Sequence, residues 1–450
     1  MAIGLTRAPA AGPRIMGESL PAEFPSPMSR AAASLELPEL QPARAKPAPP
    51  PRPPAPRVYD RNFWFCYAAN FFMVAAVSSL FRYSDFVQQL GGREQQLGWI
   101  VGVGMVGSLS MRLFQGAGID RYGPRIIWTA SLLGFITSCL AQLLLTRVDG
   151  PAIYFWRVVY QTSIAGIYGA SIAYVSARAP VERLAEVVGT LGTSGFLGMQ
   201  CGTLLSDLLS ALAPLWSLFL GAATLGTASL VCALFGARNA VRHPQHRRLP
   251  TWHVLRKYHP GPLLVVAAAM GFGLSLPTVF VRPFAASLQV ASISWFFSVY
   301  TMTAFGTRLA LRRMVDTYGT RLVSLCGLAT LIAGMLCFIP IGKPWQFMAP
   351  ALLIGAAHAM LFPAATAGVS LSFPARYRGL ATTLTMAFFD FGAFIASPMA
   401  GGLLWIAEQN GWPPYPTMFA SVATFLALLA AAYAVSTRSM HRPASPHTSP

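Results

Sequence analysis

The stretch Arg112 to Arg125, RLFQGAGIDRYGPR, decides how the chain is read. It places charges and turn residues between two long apolar runs, the glycine-rich Leu97 to Leu113 and then Ile126 to Leu145. Each run has roughly the length a helix needs to cross a hydrocarbon core of ~30 Å. The stretch is therefore expected to be a short loop at a membrane face, with its charges in water. Composition agrees: apolar residues make up 54% of the 450 residues and charged residues 11%. A soluble globule of that length would have too little polar surface, so the chain reads as a polytopic membrane protein.

Gly116, Asp120, Arg121, Gly123 and Arg125 spell G-x-x-x-D-R-x-G-x-R between two predicted spans. This resembles the loop between helices 2 and 3 of the major facilitator superfamily. A weaker copy follows in RLALRRMVDTYGTR, where Arg308, Asp316, Gly319 and Arg321 each stand 196 positions after Arg112, Asp120, Gly123 and Arg125. The constant offset marks an internal repeat. Arg312 and Thr317 replace the first glycine and the arginine after the aspartate in this second gate motif. The resemblance implies an all-α integral membrane fold of twelve transmembrane helices. They form two pseudo-symmetric six-helix halves, with the substrate between them near the midplane. It also implies a secondary transporter working by alternating access, with the Asp120 loop as inner gate. Asp120 would then sit against the N-terminus of the eleventh helix, while Arg121 and Arg125 find acidic or carbonyl partners.

Twelve spans are predicted, near 62–83, 95–115, 125–146, 151–176, 185–207, 213–236, 261–285, 291–311, 321–341, 345–371, 379–405 and 414–436. They divide the chain into a Pro/Ala-rich tail (1–57), a first half (58–236), a basic linker (237–260), a second half (261–437) and a short tail (438–450). The linker carries Arg238, Arg242, Arg247, Arg248, Arg256 and Lys257 and no acid from Arg238 on. By the positive-inside rule it faces the cytosol, which puts both termini there too and the protein in the inner membrane. The formal charge of +18 is explained by this loop asymmetry without nucleic acid. Lipid head groups could also attract it. Matched proline-marked basic loops, at Pro180 with Arg183 and at Pro374 with Arg376 and Arg378, support the two halves. So do glycines in the fifth span (Gly189, Gly192, Gly195, Gly198, Gly202) and eleventh span (Gly392, Gly401, Gly402), which suit close helix contact.

An ionisable residue within a span needs a partner, a wet cavity or a job. Asp390, among Phe388, Phe389 and Phe391, is where desolvation disfavours the charged form. It reads as a proton-coupling carboxylate, a substrate contact or a packing residue. Arg157 resembles the arginine of the family's helix-4 motif R-x-x-x-G, with Gln161 in place of the glycine. In the family this arginine is tied to proton transfer or the substrate cavity; electrostatically it could hold an acid ionised or bind an anion, and a structural pairing is the alternative. Arg82 and Arg282 lie near the outer ends of the first and seventh spans, where two facing cations would attract anions. Asp85 offers Arg82 a local partner instead. His358, five residues before Pro363, reads as a proton site or as a hydrogen-bonded packing residue. Pro277, Pro363 and Pro398 are candidate bends.

The six cysteines fall singly within apolar runs, and nothing implies a metal, a cofactor or an enzyme active site. The expected partners are a small-molecule substrate, protons as coupling ion and the lipid bilayer, and a monomer is expected. Three functions compete. One is proton-coupled efflux of a small organic or amphipathic molecule. Another is proton-coupled transport of an organic anion, using Arg157 and Arg282 with Asp390. The third is a membrane sensor or assembly factor that no longer transports. The Gly-Pro motif typical of proton-drug antiporters is absent from the fifth span, GTLGTSGFLGMQCG, and the sugar-porter signature after the sixth is missing.

Overall fold

Asp60 starts the first helix by accepting a hydrogen bond from the Phe63 amide at 2.8 Å, the N-cap arrangement that satisfies an orphan donor. The computed structural model describes residues 59–180, 183–237, 254, 256–258, 260–311, 313–374 and 377–437, without the side chains of 184, 185 and 378. These residues form helices and turns with no strand. The expectations for the tails at 1–57 and 438–450, and for most of the basic linker, lie outside the described residues.

Twelve long helices follow one another among the described residues. They are α1 (Arg61–Gln89), α2 (Glu94–Tyr122), α3 (Pro124–Gln142), α4 (Pro151–Arg178), α5 (Leu184–Leu212), α6 (Trp216–Gly236), α7 (Leu263–Ser287), α8 (Ser294–Ala310), α9 (Met314–Leu336), α10 (Met348–Leu371), α11 (Arg378–Gln409) and α12 (Pro414–Ser436). Nine are long and apolar enough to cross a membrane. Of the other three, α8 has 17 residues. The remaining two, α4 and α5, dilute their apolar residues with polar ones such as Ser163, Ser194 and Thr203, which turn inward and are buried. Short connections make consecutive helices within each half antiparallel, giving the bundle two ends. The end with Arg61 and Ser436 is the terminal face, and the other is the distal face.

The internal repeat is visible in the pairing of helices. In the first half α2 packs on α4, α1 on α5 and α6, and α3 on α4 and α6. In the second half α8 packs on α10, α7 on α11 and α12, and α9 on α10 and α12. Between the halves α2 lies against α11, α5 against α8, and the distal part of α1 against α7. Close approach uses small residues. A Cβ at Gly98 or Gly102 of α2 would strike Ser397 or Pro398 of α11, and one at Gly198 or Gly202 of α5 would strike the α1 backbone. Gly392 meets α7 and Gly401 meets α2, whereas Gly189, Gly192 and Gly402 have nothing within 4 Å.

The opening stretch departs from expectation. It is no loop: α2 continues helically to Tyr122, and the break is confined to Gly123, at φ 84° and ψ 155°. Gly116 and Gly118 weaken the helix without ending it, whereas the positive φ at Gly123 excludes most side chains and Pro124 suits the first turn of the next helix. Gly319, the repeat mate of Gly123, has φ 78° and ψ 158°. The two halves thus share a backbone hinge as well as a sequence offset.

Candidate functional site

Charged side chains gather where the halves meet. At the distal face a one-turn 3-10 segment, Leu80–Arg82, interrupts α1 and directs Arg82 toward α5. Arg82 Nη2 donates to Asp207 Oδ1 at 2.7 Å and Nη1 to Asp85 Oδ2 at 3.1 Å, and Arg82 also donates to the Ala291 carbonyl of the second half. Asp85 reaches across to Arg282 of α7, whose Nε lies 2.9 Å from its Oδ1. Arg282 also donates from Nη1 to the carbonyl of Val290 at 3.1 Å. Asp207 in turn accepts from the Ser292 hydroxyl at 2.5 Å and from the Ile293 and Ser294 amides at 3.0 and 2.8 Å. A carboxylate of the first half therefore caps the N-terminus of α8 in the second, where free amides and the helix dipole favour negative charge. Two arginines and two aspartates make the cluster neutral. The expectation that Arg82 and Arg282 form a pair of cations attractive to anions is overturned, because Asp85 and Asp207 compensate both.

Asp390 of α11 is buried at the other cross-half contact. Its Oδ2 accepts from Arg112 Nε of α2 at 3.0 Å and from Ser108 Oγ at 2.5 Å. The phenylalanines do not isolate it, because a guanidinium and a hydroxyl both reach its Oδ2. Arg112 was expected in water with the rest of its stretch, yet its side chain is 10% exposed. The helix continues past it, so Arg112 faces the α11 interface one turn after Ser108.

Arg157 of α4 is 9% exposed. Its guanidinium lies 4.3 Å from the Tyr83 ring centre and 4.8 Å from that of Tyr160, and its buried Nε has no hydrogen-bond partner. His358 of α10 sits apart from these groups. Its Nδ1 meets the Tyr300 hydroxyl, and its ring lies near Phe362 and near Phe196 from the first half.

The gate motifs occupy the terminal face. Asp120, Arg121, Arg125 and Asp316 are exposed, and Gly116 has open space around it. Arg121 lies over the ring of the adjacent Tyr122 at 5.2 Å, and Arg321 donates to Thr437 at 2.9 Å. Of the residues singled out from sequence, the fold brings Arg82 and Arg282 together through Asp85. It keeps Asp390, Arg157 and His358 at separate places. Asp207, Ser108, Ser292 and the pairing of Arg112 were missed. For Asp207 the signal was present, since it lies at the end of the fifth predicted span and obeys the same rule that picked out Arg82.

Two overlapping stretches, residues 63–289 and 263–449, match the family model described as Major Facilitator Superfamily. The chain belongs to the Major Facilitator Superfamily. Among curated relatives, the multidrug resistance protein MdtG of Salmonella paratyphi A is 24% identical over 396 residues, covering 82% of this chain and 94% of that protein. MdtG of Salmonella typhi matches to the same extent. Among solved structures, the nucleoside transporter NupG superposes with a TM-score of 0.70 at 13% identity, covering 84% of this chain and 100% of the other. A bacterial homologue of the human lysosomal transporter Spinster, inward-facing and unoccupied, gives 0.66 at 14%, covering 86% and 98%. At these identities the structures establish the superfamily fold alone. The chain is a multi-pass membrane transporter of this superfamily.

Proposed function

We propose that this transporter exports a small organic or amphipathic molecule in exchange for protons, by rocking its two halves about the central interface. The observation that carries the reading is the Arg112–Asp390 pair: a carboxylate, 7% exposed, whose partner belongs to the opposite half. Protonating Asp390 removes the negative charge that holds Arg112, and so loosens α2 from α11. Proton binding is thereby coupled to the contact that must change when the halves rock. The name of the MdtG relatives supports efflux as the direction. The distal cluster, which ties the halves together, supports a state closed on that side. In this reading the terminal face is cytosolic, both termini lie there, and the bilayer is the inner membrane.

The test is transport in proteoliposomes with a panel of fluorescent amphipathic dyes. An imposed pH gradient is expected to drive dye movement by the wild-type protein. Asp390→Asn is expected to abolish gradient-driven movement and retain dye-for-dye counterflow. Equal gradient-driven transport by wild type and variant would remove Asp390 from proton coupling.

A further inference from the structure

We propose that Arg157 is a positioning residue for the distal lock: its guanidinium grips the Tyr83 ring and so fixes the end of α1 that carries Arg82 and Asp85. This goes beyond the transport reading above, sharing with it only the closed distal face, and it involves no ligand.

The argument begins with the break in α1. Leu80 and Arg82, which bound the 3-10 turn, have ψ of 14° and 19°, outside the α range. A 3-10 turn inside a long helix has poorer hydrogen bonds and marks a hinge. Beyond it Tyr83–Gln89 is a short helical run, whose direction must be set by side-chain contacts. Toward the second half, Arg82 donates to the Ala291 carbonyl and Asp85 accepts from Arg282. Those contacts are the lock itself and must break when the distal face opens. Toward the first half, Tyr83 enters a socket between α3, α4 and α6 and is buried there. Its hydroxyl points at Gln142 Oε1 at 3.4 Å, its ring stands edge-on to Phe219 at 6.4 Å between centres, and the Arg157 guanidinium lies over it at 4.3 Å.

Of these contacts the guanidinium is the strongest. A hydroxyl bond of 3.4 Å is long and weak, whereas a cation over a ring gains strength when it is desolvated. Arg157 makes no ion pair among the described residues, and its buried Nε has no hydrogen-bond partner. Ring faces are therefore what offset its charge. The arginine is also held firmly: its stem packs on α2, where a Cβ at Gly104 would lie 2.7 Å from Arg157 Cγ, and Tyr160 supplies a second ring at 4.8 Å. Tyr83 stands between Arg82 and Asp85 in the chain. A ring that cannot turn keeps both charged side chains aimed at the seam, and α4 acts on the lock without touching any of its charges.

The experiment measures the distance between spin labels at Gln89 and Gln289, both exposed at the distal face, by pulsed electron spin resonance on the full-length protein with its native cysteines replaced. With Tyr83 and Arg157 intact, one short-distance population is expected. Arg157→Met and Tyr83→Leu should each add a longer population, and the two changes together should open the seam no further than either alone. Tyr83→Phe keeps the ring, loses the hydroxyl and should retain the short population. Arg157→Lys keeps a cation near the ring and should recover part of it. A second label pair, Leu144 and Leu212, both exposed and both in the first half, should keep its distance in every variant. The proposal is overturned if Arg157→Met keeps a single short population, or if Tyr83→Phe opens the seam as far as Tyr83→Leu. It is also overturned if the Leu144–Leu212 distance changes in Arg157→Met, which would make the arginine part of the packing of the first half. The double variant Asp85→Asn with Asp207→Asn separates this role from the lock. Opening there but not in Arg157→Met overturns the positioning role and keeps the lock, and opening in neither overturns both.

Discussion

At the distal face Asp207 of one half caps helix α8 of the other, and Asp85 holds Arg282 across the same seam. At the terminal face Asp120 and Asp316, which stand at equivalent positions of the two halves, are exposed. There, among the described residues, the ion pairs Arg178–Asp60 and Arg183–Glu186 stay within the first half. A carboxylate paired with a helix N-terminus of the opposite half is found at the distal end, where Asp207 caps α8. The distal face thus holds its own set of breakable charges, and they join the two halves in the described state.

The largest expected effect comes from breaking the distal set. Asp207→Ala strips the α8 amides of their acceptor and leaves Arg82 under-compensated, which should cost about 3–5 kcal/mol, the range for removing one partner of a buried pair. Thermal unfolding in detergent checks this, and a loss below about 1 kcal/mol would place the cluster among weak surface pairs. Next come the hinges. Gly123→Ala and Gly319→Ala each force a Cβ into a backbone region held almost only by glycine, and each should cost about 1–3 kcal/mol. Similar losses at the two positions would show that the repeat is mechanical as well as historical.

Asp120→Asn should have a smaller effect on stability than the distal and hinge changes, since its side chain is exposed. It is nevertheless expected to abolish transport while the protein still inserts. Normal transport rates in proteoliposomes would deny the terminal motif a gating role and leave the distal set as the controlling one.

These contrasts explain what the sequence made legible. The spans, the repeat and the hinge glycines follow from local signals: apolar runs, a fixed offset, and Gly followed by Pro or by a new helix. The helical continuation through Arg112 was hidden by reading charge density as a loop signal, although Ala117, Ile119 and Arg121 suit a helix well. The Arg112–Asp390 and Asp207–Ser294 contacts join positions far apart in the chain. No spacing rule predicts such pairs, because they depend on which helix faces turn toward the other half. Arg282 shows the limit most clearly. No acid stands near it in sequence, and the fold supplies Asp85 from α1.

The central claim is that charges at the distal seam hold the two halves closed there. The most direct test is a pulsed electron spin resonance distance between labels at Gln89, at the distal end of α1, and Gln289, in the turn just past α7, both exposed. With the distal cluster intact, one short-distance population is expected. In the double variant Asp85→Asn with Asp207→Asn, a second, longer population should appear as the seam opens. An unchanged distance distribution in that variant would contradict the account, because the halves would then be held together at the distal face without these charges.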